Sequence, residues 1–136
     1  MTTQACYSSF APTSLPTTTE TAVLTFTIPP FDEPSGQGIY FDINCIMATG
    51  AAATNATVRL RYGTGVTGTE VGFPQQTAVT AAGNNQGANT GCLDQTNSYP
   101  QGQTYTVTVQ QVAATGNGTM QQVTASVAPV ANSLSG

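Results

Sequence analysis

The stretch IYFDINCIMA, residues 39–48, sets the fold class of this 136-residue chain. Apolar side chains stand at every second position, which places them on one face of an extended strand. They are Ile39, Phe41, Ile43, Cys45 and Met47. Tyr40 and Ile46 add apolar surface to the opposite face, which is typical of a strand inside a sheet rather than at its edge. We therefore expect a central β-strand here, with Cys45 as a small buried hydrophobe.

The same two-residue period recurs along most of the chain. It predicts strands over 20–28, 56–62, 69–73, 77–81, 104–112 and 120–127. Residues 83–91, GNNQGANTG, contain no apolar side chain larger than alanine and predict a loop. The turn Thr115-Gly116-Asn117-Gly118 predicts a hairpin that pairs the last two strands. Strands at intervals of about 8 to 12 residues, without a helical period, predict an all-β sandwich or barrel.

The first 19 residues have a different character, since they are rich in Thr, Ser and Pro. Pro12 and Pro16 disfavour a helix, and apolar side chains are sparse. Ordering the backbone costs about 1 to 2 kcal/mol per residue, which such sparse burial does not offset. We expect residues 1–19 to form an extended N-terminal arm, followed by a β-sandwich domain at 20–136. The arm would become ordered by docking on a partner, with Tyr7, Phe10 and Leu15 as the interface candidates.

Charge is scarce, and this excludes several classes of function. The chain has six acidic residues, two arginines, no lysine and no histidine, for a net charge of −4. Two arginines cannot neutralise the roughly six to ten phosphates of a nucleic-acid footprint, so no nucleic-acid partner is expected. Without histidine or lysine, a serine or cysteine nucleophile has no usual base, so we expect no enzymatic activity. The sequence also lacks an apolar run of about 18 residues that would span a membrane.

Metal and disulfide chemistry find little support in the sequence. Asp32-Glu33, and Asp94 with Asn97, offer oxygen ligands, but neither pair forms a recognised calcium loop. We therefore predict no metal and no cofactor. Three cysteines cannot form a complete disulfide set, and their spacing matches no zinc pattern. Free thiols are the favoured interpretation, with a Cys6–Cys92 bridge left open.

Arg59 and Arg61 are the remaining interface candidates. They lie two residues apart on a predicted strand and so share one face. Since a planar guanidinium suits carboxylates at a protein interface, these two basic side chains are candidates for contact with another subunit. The alternative is a solvated sheet face, with pairing to Asp42 or Glu70 of the same chain. Exposed strand positions tolerate substitution, so we expect the fold to survive their replacement.

Three segments carry a resemblance to a known group of proteins. LTFTIPP at 24–30, IYFDINCIMATG at 39–50 and ATVRLRYGTGVTGTEV at 56–71 resemble jelly-roll domains of tailed-bacteriophage structural proteins, most closely capsid decoration (cement) proteins. The resemblance implies a single antiparallel, jelly-roll-like β-sandwich that assembles as a homotrimer. It also implies a place on the capsid exterior, with the major capsid protein as partner. Because residues 1–14 lack a secretory signal, we expect synthesis in the host cytoplasm.

The alternative function is a binding module, such as a phage fibre tip or a carbohydrate-binding β-sandwich. Such a module would present a row of exposed tyrosines, because aromatic rings provide the platform on which a ligand stacks. The tyrosines available are Tyr7, Tyr40, Tyr62, Tyr99 and Tyr105.

Overall fold

The structure is a computed structural model that describes residues 5–16, 18–28, 38–48, 54–71, 75–79, 86–94, 102–112 and 118–130. Within these ranges the chain forms nine β-strands and no helix. The strands are β1 (Ala5–Ser9), β2 (Thr13–Leu15), β3 (Thr21–Thr27), β4 (Gly38–Ala48), β5 (Thr54–Tyr62), β6 (Gln75–Val79), β7 (Gln86–Asp94), β8 (Thr104–Val112) and β9 (Gly118–Val130).

The strands make two antiparallel sheets. The first has the order β1-β9-β4-β7, with β2 also paired to β9, and the second has the order β3-β8-β5-β6. Among the described strands, every connection except β1–β2 and β5–β6 passes from one sheet to the other. With β1 and β2 together in the place of one strand, this is the order of a jelly roll. The predicted all-β, antiparallel β-sandwich is confirmed.

The core lies between the inner faces of the two sheets. The inward side chains of β4 that the alternation predicted are all buried, and Cys45 among them is 2% exposed. Tyr105 of β8 is fully buried at the centre of an aromatic cluster. Its ring centroid lies 4.7 Å from that of Phe41, 5.2 Å from that of Tyr62 and 5.9 Å from that of Phe26. These contacts join the two sheets through large apolar surfaces.

The loop predicted at 83–91 is wrong, because β7 occupies Gln86–Asp94. This strand pairs with β4 over nine residues, from Ile39↔Asp94 to Met47↔Gln86. Backbone pairing to a long central strand replaces the apolar pattern that the segment lacks. At Gly91, the absence of a Cβ leaves room for the hydroxyl of Tyr40, whose side chain would otherwise have to shift.

The predicted hairpin at 115–118 is also wrong. β8 pairs with β3 and β5 in the second sheet, whereas β9 pairs with β1, β2 and β4 in the first. Val107 of β8 and Val127 of β9 are both fully buried, so the two strands share the core from opposite sheets. Alternation shows that a strand has one apolar face, but it does not show which sheet contains the strand. Of the strand expected at 69–73, the described residues 69–71 form only an isolated bridge, between Glu70 and Arg61, and residues 72 and 73 lie outside the described ranges.

The N-terminal segment differs from the expected arm. Residues 5–9 and 13–15 pair with β9, in registers that run from Ala5↔Val127 to Leu15↔Gly118. Leu15 is 1% exposed, and its carbonyl accepts a hydrogen bond from Nε2 of Gln111 at 2.9 Å. The backbone hydrogen bonds to β9 and the burial of Leu15 together offset the conformational entropy that the segment loses on ordering. The sparse apolar side chains alone would not offset it. Residues 5–15 thus belong to the first sheet, and the division of the chain at residue 19 stays a prediction.

We predict that Leu15→Ala lowers the free energy of unfolding by about 3 kcal/mol, because it removes a buried side chain and leaves a cavity. Chemical denaturation measures the change. Phe10→Ala is the matched control on the same segment, since Phe10 is 64% exposed. It should change stability by less than about 0.5 kcal/mol. Equal, small effects of the two substitutions would show that the segment does not belong to the core.

Candidate functional site

Arg61 lies on the outer face of the second sheet and is held by Glu20. Its Nε is 2.6 Å from Oε2 of Glu20, and its Nη2 donates to Oε1 of the same carboxylate at 2.9 Å. The remaining Nη1 donates to the carbonyl oxygen of Gly68 at 2.7 Å. A two-point contact of this kind fixes both the position and the orientation of the guanidinium.

Arg59 extends this network to a second carboxylate. Its Nε is 2.9 Å from Oε1 of Glu70, in an ionic contact whose geometry is not that of a hydrogen bond. Its Nη1 donates to Oε1 of Gln110 at 2.8 Å and lies 3.8 Å from Glu20. Arg61 also reaches Glu70, at 3.5 Å from Nη2. We call Glu20, Arg59, Arg61 and Glu70 the ionic cluster.

Strand pairing and the segment 63–70 bring the ionic cluster together. Thr108 of β8 is opposite Arg59 in the register, and its hydroxyl donates to Oε2 of Glu20 at 2.6 Å. Segment 63–70 folds back on β5, with Tyr62 N bonded to the carbonyl of Thr69 at 3.0 Å. A Cβ at position 68 would collide with the Tyr62 carbonyl, so this return requires glycine.

The contacts within the ionic cluster shift the pKa values of Glu20 and Arg61. Hydrogen bonding from Arg61 holds the pKa of Glu20 below its ordinary value of 4.5, although desolvation acts in the opposite direction. The Thr108 hydroxyl and the charges of both arginines add to the lowering. The same hydrogen bond to Glu20 raises the pKa of Arg61. Each group therefore favours the charged form of its partner.

Within the chain both arginines are paired with carboxylates, whereas their contact with another subunit stays a prediction. Their side chains are 19% and 15% exposed, and both are paired within the chain. Of the two partners weighed from sequence, Glu70 is correct, whereas Asp42 is on β4 of the other sheet. Glu20 was missed, because its approach to Arg61 follows from the order β3-β8-β5 and not from alternation along one strand.

The N-terminal interface candidates divide into buried and exposed residues. Leu15 is in the core, and Tyr7 stacks on Phe26 with ring centroids 4.9 Å apart. The Tyr7 hydroxyl donates to the carbonyl of Thr27 at 2.9 Å, and burial raises its pKa. Phe10, in contrast, is 64% exposed between β1 and β2. Of these three candidates, Phe10 alone presents a large apolar surface to solvent.

A second apolar surface lies on the outer face of the first sheet. Tyr40 and Ile46 of β4 are 44% and 36% exposed, on the side away from the core. The expected row of exposed tyrosines is not formed by the described residues, since Tyr105 is buried and Tyr7 and Tyr62 are half-buried. Tyr99 lies outside the described ranges.

The described residues offer no site for a metal ion, and the thiol of Cys45 is buried. Among them, no group of three or more Cys, Asp and Glu residues is placed to hold a metal ion. Burial raises the pKa of the Cys45 thiol to about 12, so it is not a nucleophile. Cys6 is exposed, and its Sγ accepts a hydrogen bond from Ser126 at 3.8 Å. The carboxylates of Asp32, Glu33 and Asp94 lie outside the described side chains. No described helix is long and apolar enough to cross a membrane.

Comparison with known proteins gives a likeness of fold. No family model and no curated protein match the chain. Among solved structures, it is similar to VP2 of infectious bursal disease virus in a subviral particle, with a TM-score of 0.57 and 10% identity over 95% of this chain and 34% of that chain. A structure of the Gx strain of this virus matches with a TM-score of 0.55 and 8% identity, over 96% of this chain and 33% of that chain. A structure of T=1 particles derived from the virus matches with a TM-score of 0.53 and 11% identity, over 93% of this chain and 32% of that chain.

The chain spans about a third of the length of these viral proteins. At such low identity, the likeness establishes the shared β-sandwich fold. These three neighbours are proteins of viral particles, but they are not tailed-phage decoration proteins.

We predict that Glu20→Gln lowers the free energy of unfolding by about 2 kcal/mol at neutral pH, because it removes charged hydrogen bonds. The folded-state pKa of Glu20 is lowered, so its contribution is present above pH 4.5 and is lost as the pH falls through the folded-state value. The stabilities of variant and parent should therefore converge as the pH falls below 4.5 and through that lowered value. Denaturation from pH 7 to pH 3 measures this. A difference that stays constant with pH would contradict the assigned role of Glu20.

Proposed function

We propose that this chain is a non-enzymatic structural subunit of a virus particle. The observation that supports this most strongly is the fold, a jelly-roll sandwich similar over nearly its whole length to a third of VP2 in viral particles. Because one fold serves many functions, the remaining support comes from the surface and the edges of this molecule.

The distribution of charge suits contacts between proteins. Both arginines of the chain are engaged by Glu20 and Glu70, so neither is free to recognise an anionic ligand. The largest exposed apolar side chains of the described residues are Phe10, Tyr40, Ile46 and Val66. Side chains without charge are the kind that the centre of a protein interface prefers.

The sheet edges give independent support for assembly. The strands at the edges are β1 with β2, β3, β6 and β7, and Asp94 is the one charged residue in their sequences. Proteins that stay monomeric usually protect edge strands with charged residues or proline. Edges without this protection suit a chain that is covered by neighbouring subunits in a closed, symmetric assembly.

In its specific form, the proposal is a capsid decoration or cement protein. It would form a homotrimer on the capsid exterior and hold the major capsid protein through Phe10 and the outer face of the first sheet. The resemblance to tailed-phage decoration proteins supports this form, as does the exposure of Phe10. The isolated position of Tyr40 as the most exposed tyrosine of the described residues disfavours a carbohydrate-binding module.

We predict that the purified protein binds, as a trimer, to particles of its virus that lack it. Because the proposed contact surface carries little charge, affinity should change by less than about twofold between low and high salt. Light scattering gives the mass of the free protein, and titration onto particles gives affinity and copy number. Particles that already contain the protein are the control and should take up none.

Phe10→Ser should weaken binding by about tenfold or more, as expected for a buried aromatic anchor. Val66→Ser is its control, since Val66 is 37% exposed but lies on segment 63–70 beside the second sheet. Absence of binding to particles would overturn the virion role. Binding as a monomer, or closed shells formed by this chain alone, would overturn the decoration form.

A further inference from the structure

We propose that residues 5–15, which we call the exchange segment, pass between copies of this chain when it assembles. In the exchanged state, β1 and β2 of one copy would pair with β9 of the next copy instead of their own. The partner is thus a second copy of the chain. This inference goes beyond the proposed function and does not require a virus particle.

The contacts of the exchange segment can be re-formed between copies without change. Its backbone pairs with β9 along one edge, and its main side-chain contacts are the stacking of Tyr7 on Phe26 and the burial of Leu15. Every copy presents an identical β9 edge and an identical place for Leu15. Exchange of an identical element is a low-cost route to oligomers for this reason.

The β9 edge also favours one particular segment to pair with it, which is the exchange segment of a copy of this chain. A released segment leaves the cavity for Leu15 empty and removes the carbonyl to which the buried amide of Gln111 donates. Both losses are costly in a core, so this edge favours a segment that restores them. A second copy supplies the same side chain at the same register, opposite Gly118.

The connection that follows the segment is strained in the closed state. Thr18 has φ 53°, and the neighbouring Thr19 N donates to the carbonyl of Pro16 at 3.3 Å. A positive φ favours glycine or asparagine and is unfavourable for a β-branched residue. Exchange lets the connection extend and removes this strain. Hydrogen bonds from Arg61 and Thr108 hold Glu20 in place, so the part of the chain that moves on exchange ends before Glu20.

The test uses Ser126→Cys, because Ser126 is opposite Cys6 in the register and its Oγ is 3.8 Å from Cys6 Sγ. Oxidation then joins the exchange segment covalently to whichever β9 it occupies. Dilute, monomeric protein should give a link within one chain. Protein oxidised as the assembled oligomer should give chains linked to one another on a non-reducing gel. Mass spectrometry should then find the peptide that contains Cys6 joined to the peptide that contains the new thiol of β9.

Thr124→Cys is the matched control, since Thr124 is on the same strand but opposite Ser8. It should give few links to Cys6 in either state. Thr18→Asn relieves the strain of the closed turn and should lower the interchain fraction several-fold while retaining the intrachain link. An oligomer that shows the intrachain link alone, or a chain that stays monomeric at every concentration, would overturn the exchange. The first of these results would leave the virion role intact, because particle binding is measured separately.

Discussion

Strand β9 is the element on which the closed sandwich depends, because it pairs with β4 on one edge and with β1 and β2 on the other. This pairing brings the first and last described strands of the chain side by side. It holds Leu15 in the core, and β9 adds four buried side chains, those of Met120, Val123, Ala125 and Val127, to the inner face of the first sheet. A polar segment rich in Thr, Ser and Pro becomes a strand because a long, partly unpaired edge is available to it.

A scarcity of charge governs the rest of the molecule. The chain has two basic side chains, and the structure places both in the ionic cluster with Glu20 and Glu70. The cluster links the start of β3, the outer face of β5 and segment 63–70, so it stabilises the fold. The remaining surface is solvated mainly by hydroxyl and amide groups, and its edges are almost without charge. Such a surface is better suited to stable contacts with other proteins than to recognition of charged ligands.

Alternation along the chain was sufficient to predict the class of fold and, for most strands, which side chains face the core. The inward residues of β4 and the burial of Cys45 follow from it directly. Three features depended on information that alternation lacks. The strand at Gln86–Asp94 forms through backbone pairing with β4, and the separation of β8 from β9 follows from the sheet order. The third feature is the Glu20–Arg61 pair, which joins residues 41 positions apart through an intervening strand. Each of these is a non-local contact.

The central claim is that this chain is a subunit of a virus particle and is assembled through its edges and uncharged surfaces. The most direct measurement is a cryo-electron microscopy reconstruction of the particles purified from infected cells. The account predicts density on the capsid exterior, at symmetric positions, that fits this jelly roll in groups of three with β9 paired on both edges. Particles whose reconstruction and protein content lack the chain would contradict it.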